Sequence, residues 1–145
     1  MGLKITISSV ALVVALLAPG ARAADLANPG DAVLVVQGNK QWAEGRLEDA
    51  RKSFEQAVAA NPRSIDARMK LGGLLLSSRS YAAAIQTYQQ TLSLDGDNAK
   101  AWIGLGMAYL HCGQKELSRG AFEAAVRADP GRKTQLAGLM EKPTE

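Results

Sequence analysis

The chain has 145 residues, 47% hydrophobic and 21% charged, with 17 basic and 14 acidic side chains and a formal net charge of +3. This length is sufficient for about one domain. Basic and acidic residues are interleaved, as in GRLEDARKSFE at residues 45–55, so nothing indicates the basic patch of a nucleic-acid-binding protein. Because the chain has one cysteine, an intramolecular disulfide is excluded and packing must hold the fold together.

The first segment has the pattern of a secretory signal peptide. Residues 1–4 carry a positive charge, residues 5–17 are uncharged and mostly apolar, and ARA at residues 21–23 has the form of a cleavage site. The apolar run is shorter than the ~18 residues that suggest a membrane span. We therefore expect residues 1–23 to be removed and the protein to be exported to the periplasm without a stable membrane anchor. A retained N-terminal anchor is the alternative.

The remaining chain is close to neutral and repetitive. Loss of Lys4 and Arg22 with the signal leaves 15 basic against 14 acidic residues, or +1. Residues 24–30 are predicted to form a flexible lead. Residues 31–64, 65–98 and 99–132 then align as three segments of 34 residues without a gap. The segments share a glycine at the eighth place, a small residue at the twentieth and an aromatic residue at the twenty-fourth: Gly38, Gly72, Gly106; Ala50, Ala84, Ser118; Phe54, Tyr88, Phe122.

Each segment has the pattern of two helices. In the third, Trp102, Leu105 and Tyr109 recur at helical spacings, and residues 116–129 form a second apolar face that includes Leu117. A glycine inside a helix costs about 1 kcal/mol relative to alanine, so its threefold recurrence predicts a close approach of the paired helices. Residues 32–36, AVLVV, have the β-branched content of a strand, but the register places them in a first helix.

These residues resemble the tetratricopeptide repeat, which is an antiparallel helix pair. The third segment carries the most complete family pattern: Trp102, Leu105, Gly106, Tyr109, Gly113, Phe122, Ala125 and Pro130. The other two segments depart from it, the first at Leu34 and Gln41 and the second at Arg68 and Gly96. The resemblance implies an all-α helix-turn-helix solenoid of three repeats. Residues 133–142, KTQLAGLMEK, are predicted to form a short C-terminal capping helix.

The histidine and the cysteine of the chain, His111 and Cys112, are adjacent at the end of a predicted helix. Adjacent helical residues point about 100° apart, which is poor geometry for a catalytic pair. A zinc site needs further Cys or His ligands, and the C-x-x-C-H haem motif is absent. We therefore expect no catalytic residue, no metal and no cofactor. Cys112 is interpreted as a packing residue, with a thiol that bridges two chains as the alternative.

The resemblance implies a concave groove lined by the second, fifth, sixth, ninth, twelfth and thirteenth places of each repeat. The candidate partner-binding residues at these places are Val35, Asn39, Trp42, Met69, Lys70, Leu76, Lys100, Ile103, Met107, Leu110 and His111. This surface is mostly apolar, which predicts an apolar peptide segment of another protein as the partner. One subclass of the family grips a peptide carboxylate at five such places, of which only Asn39 and Lys100 match here.

The chain is therefore expected to be an exported protein-interaction module. The resemblance favours an accessory of an envelope, secretion, pilus or cytochrome-maturation assembly. The alternative is a structural subunit that self-associates, for example as a homodimer, through its repeat ends or its groove. An enzyme is not expected, because the sequence has no nucleophile–base pair, phosphate loop or metal cluster.

We predict that the mature protein begins at Ala24, because a small-residue cleavage site follows a short apolar run. The intact mass of protein purified from the exporting cell measures this directly. A mass that still includes residues 5–17 would instead identify a membrane-anchored form.

Overall fold

The computed structural model describes residues 29–141, and these residues are helical apart from short connections. Six long helices form three antiparallel pairs, followed by a short capping helix. They are α1 (Pro29–Ala43), α2 (Leu47–Ala60), α3 (Ile65–Ser77), α4 (Tyr81–Leu94), α5 (Ala99–His111), α6 (Lys115–Ala128) and α7 (Lys133–Met140), with a 3₁₀ turn at Pro130–Arg132 before α7. The predicted all-α solenoid of three helix pairs and a cap is confirmed. Within residues 29–141, none of the helices has the length and apolar character needed to cross a membrane.

The first helix begins earlier than the sequence pattern indicated. The lead was predicted to extend to Gly30, whereas α1 starts at Pro29. Proline suits the first turn of a helix, because its fixed φ is helical and the missing N–H has no partner there in any case. The AVLVV run lies inside α1, as its register required. The predicted signal peptide, residues 24–28 of the lead and the last predicted cap residue lie outside the described residues.

Turns and caps at recurring places set the ends of the helices. Ser64 and Asn98 precede α3 and α5, and each side chain accepts a hydrogen bond from the backbone N–H three residues later, at 3.3 and 3.0 Å. The turn inside each helix pair has a left-handed residue at the fifteenth place of the repeat, Gly45, Arg79 or Gly113, with φ of 76°, 63° and 73°. The second pair therefore accepts an arginine in a conformation that favours glycine.

An aromatic ring lies on the recurring glycine in every helix pair. A Cβ placed on the eighth-place glycine would lie within 2.5–2.8 Å of a ring carbon, for the pairs Gly38–Phe54, Gly72–Tyr88 and Gly106–Phe122. The three rings are 0, 4 and 0% exposed. The sequence had suggested a contact between the two helix backbones, but the atoms that exclude a side chain belong to the ring.

The same rings connect successive helix pairs into one core. Tyr88 of α4 also covers Gly104 of α5, where a Cβ would meet the ring again. Burial raises the pKa of the Tyr88 hydroxyl to about 12. At the C-terminal end, Phe122 packs with Leu136 of α7, and Met140 packs against the same cluster. The capping helix therefore occupies the position that the first helix of a further pair would take.

Two buried serine hydroxyl groups in the core have hydrogen-bond partners. Ser53 Oγ donates to Gln41 Oε1 at 2.6 Å, and Gln41 stands at the eleventh place, where the third repeat has Tyr109. Ser118 Oγ donates to the carbonyl oxygen of Gly106 at 2.8 Å. The bond between Ser53 and Gln41 explains why the first repeat tolerates a polar residue at a place that is aromatic in the family pattern. A buried polar group is costly only when it lacks a partner.

Replacing Gly106 by alanine is expected to destabilise the protein, because the new Cβ would lie 2.6 Å from the Phe122 ring. Overpacking of this kind costs roughly 1–3 kcal/mol. Gly120 in α6 is a matched control, because no atom lies within 4 Å of a Cβ built there. Gly120→Ala should stabilise the protein by up to about 1 kcal/mol through helix propensity alone. Urea denaturation of both variants measures the two changes, and stabilisation by both would contradict the ring contact.

Candidate functional site: the groove of the first helices

The first helices of the three pairs, α1, α3 and α5, pack side by side and enclose an open cavity of about 610 Å³. Four of the predicted partner-binding residues line it together: Trp42 from α1, Met69 and Lys70 from α3, and Lys100 from α5. Ile65, Asp66, Gly73 and Asn98 complete its lining. We refer to this cavity as the groove.

Trp42 is held in place from two sides. Its ring meets Phe54 edge to face, with centroids 6.3 Å apart and an angle of 80° between the planes. On the α3 side, the indole lies beside Gly73, where a Cβ would be 3.4 Å from the ring, which is ordinary van der Waals contact. Trp42 is only half-buried. The indole therefore combines a fixed orientation with a surface that faces the groove.

The charged groups of the groove are free to interact with a partner. Lys70, Lys100 and Asp66 form no ion pair with any residue of the described range 29–141. Asn98 is different, because its Oδ1 caps α5 and its Nδ2 donates to Asp95 Oδ2 at 3.0 Å. The lining of the groove thus combines apolar side chains with two amines and one carboxylate.

The prediction for the first repeat was wrong at Val35. This side chain is 6% exposed and packs in the core cluster that contains Phe54 and Leu74. The exposed valines of α1 are Val33 and Val36, at 65% and 68%. Val35 therefore contributes to stability and cannot present a side chain to a partner.

Apart from Lys100, the predicted residues of α5 do not line the groove cavity. Ile103 and Met107 are partly buried against the cluster formed by Phe122 and Leu136, so the capping helix takes up part of their surface. Leu110 lines a separate cavity of about 240 Å³ between α6 and α7. Asn39 and Leu76 are half-buried and do not line the groove cavity, and Leu76 packs against the middle of the core.

His111 and Cys112 also differ from expectation. The His111 ring is exposed and stacks on Tyr81 of α4, with centroids 4.8 Å apart and planes 4° from parallel. It lies at the opposite end of α5 from Lys100. Cys112 is an exposed free thiol, so its interpretation as a packing residue was wrong.

The sequence pattern did not indicate a second cleft, which lies between α4 and α6. Trp102 and Leu117 were placed on packed helix faces, but Trp102 is half-buried and Leu117 is 54% exposed. Both line a cleft of about 560 Å³ with α5 as its floor. The signal in the sequence was Gly120, a helical glycine that does not recur at the corresponding places of the other repeats, Lys52 and Gln86.

The repeat geometry agrees with comparison to known families. Two models of the tetratricopeptide repeat match residues 35–98 and residues 75–142. The chain therefore belongs to the tetratricopeptide repeat family, and the resemblance seen in the sequence is confirmed.

Similar curated proteins are much longer than this chain. The Hsp70-Hsp90 organizing protein of Triticum aestivum is 30% identical over 105 residues, which is 72% of this chain and 18% of that protein. Protein O-mannosyl-transferase TMTC3 of Homo sapiens is 30% identical over 94 residues, or 64% of this chain and 10% of that protein. The chain thus spans less than a fifth of either relative.

Solved structures show the same fold at low identity. The first tetratricopeptide domain of Spaghetti (RPAP3), bound to the HSP90 peptide SRMEEVD, has a TM-score of 0.71 and 18% identity over 77% of this chain and 90% of that chain. The Yersinia enterocolitica type III secretion chaperone SycD, in complex with a peptide of the translocator YopD, has a TM-score of 0.70 and 18% identity over 75% of this chain and 88% of that chain.

Proposed function

We propose that this protein is an exported interaction module, and not an enzyme, that binds an apolar peptide segment of a partner protein in its groove. The observation that carries the proposal is the groove itself, where Trp42 and Met69 from two helices line one cavity with two lysines that form no ion pair within residues 29–141. An accessible cavity with an apolar floor and a few polar groups is typical of a peptide-binding site.

The groove contains residue types that anchor a bound peptide at protein interfaces. Tryptophan is enriched among the residues that dominate binding energy at protein interfaces. Met69 adds a flexible side chain that adapts to different apolar partners. Lys70 and Lys100 stand at the edge, where they can bond peptide carbonyl groups or an acidic side chain and so fix the direction of the segment.

Similar proteins support peptide binding as the general activity. The RPAP3 and SycD structures hold peptides of HSP90 and of the translocator YopD, respectively. The groove of this chain lacks the residue set with which one subclass of the family binds the carboxylate end of a peptide. Val35 and Gly104 stand at two of the five places that bind the carboxylate in that subclass of the family. Val35 is buried and Gly104 lies under Tyr88, so neither place offers a side chain to a peptide. An apolar segment therefore fits better than an acidic tail.

Export is proposed from residues 1–23, whose pattern is that of a secretory signal peptide. In the periplasm, the module would act as an accessory of an envelope, secretion, pilus or cytochrome-maturation assembly. The partner is a protein in each case, and no nucleic acid or cofactor is part of the proposal.

Binding is expected to depend on Trp42 and on the apolar floor of the groove. A partner peptide is first identified by photo-crosslinking from a benzophenone side chain placed at Met69, and its affinity is then measured by titration calorimetry. Trp42→Ala and Met69→Glu should each weaken binding by about 30-fold, which corresponds to loss of about 2 kcal/mol at an interface anchor. Lys70→Gln should weaken it by about threefold, as expected for a charge that is still partly exposed to solvent.

Tyr81→Ala is the control, because Tyr81 packs on His111 away from the groove, and it should leave the affinity unchanged. Unaltered binding by folded Trp42→Ala and Met69→Glu variants would contradict the proposal. A wild-type dimer by light scattering, with the groove closed to peptide, would instead favour the second candidate function of self-association. The exposed Val33 and Val36 of the first helix are the observation that supports this candidate.

A further inference from the structure

The cleft between α4 and α6 is separate from the groove, since no residue lines both cavities. Its walls are Leu92 of α4 and Leu117 of α6, with Trp102 and Tyr109 of α5 between them. The volume of about 560 Å³ is comparable to that of the groove. This surface needs an explanation of its own, because an open apolar cleft is unfavourable in water.

Gly120 lines the cleft and has no ring over it. The glycines Gly38, Gly72, Gly104 and Gly106 each lie under an aromatic ring, whereas a Cβ on Gly120 would have no atom within 4 Å. Internal packing therefore does not require glycine in the middle of α6. Glycine weakens a helix relative to alanine, and it is common where a ligand approaches the backbone closely. We call the open space over Gly120 the hollow, and an external group can occupy it.

The rim of the hollow is apolar and fixed. Leu117 lines the cleft and is 54% exposed. The Tyr109 hydroxyl accepts a hydrogen bond from Gln89 Nε2 at 3.0 Å, which holds the ring and leaves the hydroxyl hydrogen free to donate. An apolar side chain over Gly120 would therefore contact Leu117 on one side and the aromatic rings of α5 on the other.

The charge of the cleft is negative and unpaired. Among the described residues that line it, Glu116 alone is charged, and it forms no ion pair within residues 29–141. On the same helix, Arg119 and Glu123 do pair, at 3.7 Å. A glutamate in the first turn interacts favourably with the helix dipole. This interaction accounts for an acidic residue at this place but not for the hollow beside it. A positive group on the occupant would complement Glu116.

These features belong to the third repeat and not to the fold in general. In the second repeat, Arg68 takes the place of Trp102, Ala82 that of Glu116 and Gln86 that of Gly120. Arg68 would bring a positive charge to the place where the third repeat has an apolar wall. Burial lowers the pKa of this arginine.

We infer that the α4–α6 cleft is a second docking site, which binds an amphipathic segment of another protein with an apolar side chain next to a lysine or arginine. The apolar side chain enters the hollow over Gly120, and the basic side chain reaches Glu116. The site is independent of the groove, so the protein can hold two segments at once.

Two blocked fifteen-residue amphipathic peptides serve as probes, both with leucines along one face and either lysines or glutamates beside them. Each peptide is titrated into ¹⁵N-labelled protein, and amide shifts report where it binds. The lysine peptide should shift Tyr109 and residues 116–121. Its Kd should rise at least tenfold in Gly120→Leu, which fills the hollow, and about threefold in Glu116→Gln. Glu123→Gln, on the same helix but outside the cleft, should leave it unchanged.

Gly120→Leu should melt at or above the wild-type temperature, because a Cβ at this place meets no atom within 4 Å and leucine favours a helix more than glycine does. The inference is overturned if the glutamate peptide binds equally well, if neither peptide binds, or if the shifts are confined to the groove around Trp42 and Met69. It is also overturned if wild type self-associates and Gly120→Leu abolishes this, since the occupant would then be a second copy of the chain.

Discussion

In each helix pair an aromatic ring of the second helix lies on a glycine of the first, as Phe54 does on Gly38 and Phe122 on Gly106. The ring fixes the distance between the two helices, because nothing larger than a hydrogen atom fits beneath it. Tyr88 extends the contact to Gly104 of the next pair, so the same constraint also sets the spacing between the second and third pairs. The remaining core residues fill the space that these contacts define.

The two candidate binding surfaces follow from this arrangement. With one face of each helix committed to the rings, the first helices are free to form the groove and the second helices to form the walls of the α4–α6 cleft. Glycine has opposite roles in the two settings. Under Phe122, Gly106 admits a group of the protein itself, whereas the space beside Gly120 is open to the outside.

The sequence was sufficient to predict the fold, because a period of 34 residues with the same glycine and aromatic residue in each copy is specific. The register also placed Trp42, Met69, Lys70 and Lys100, which the structure brings into one cavity. All four lie in the groove of the first helices, where the family pattern applies directly.

The other predicted residues do not line this cavity, and neighbouring elements change the exposure of several of them. Ile103 and Met107 lie against the cluster that α7 completes, and the repeat pattern does not say how far a capping helix extends over its neighbour. Val35 shares its place in the repeat with Met69 and Ile103, yet it is buried with Phe54 and Leu74. A period gives the place of a residue in the repeat, whereas exposure also depends on the residues that surround that place.

A double-mutant cycle on Gly106 and Phe122 tests the central contact most directly. The free energy of unfolding is measured for wild type, Gly106→Ala, Phe122→Leu and the double variant. If the ring excludes a side chain at Gly106, the alanine should destabilise the wild-type background and be neutral or stabilising beside Phe122→Leu, with a coupling energy of about 1–3 kcal/mol. Additive effects, within about 0.5 kcal/mol, would show that the ring does not determine the glycine and would contradict the account.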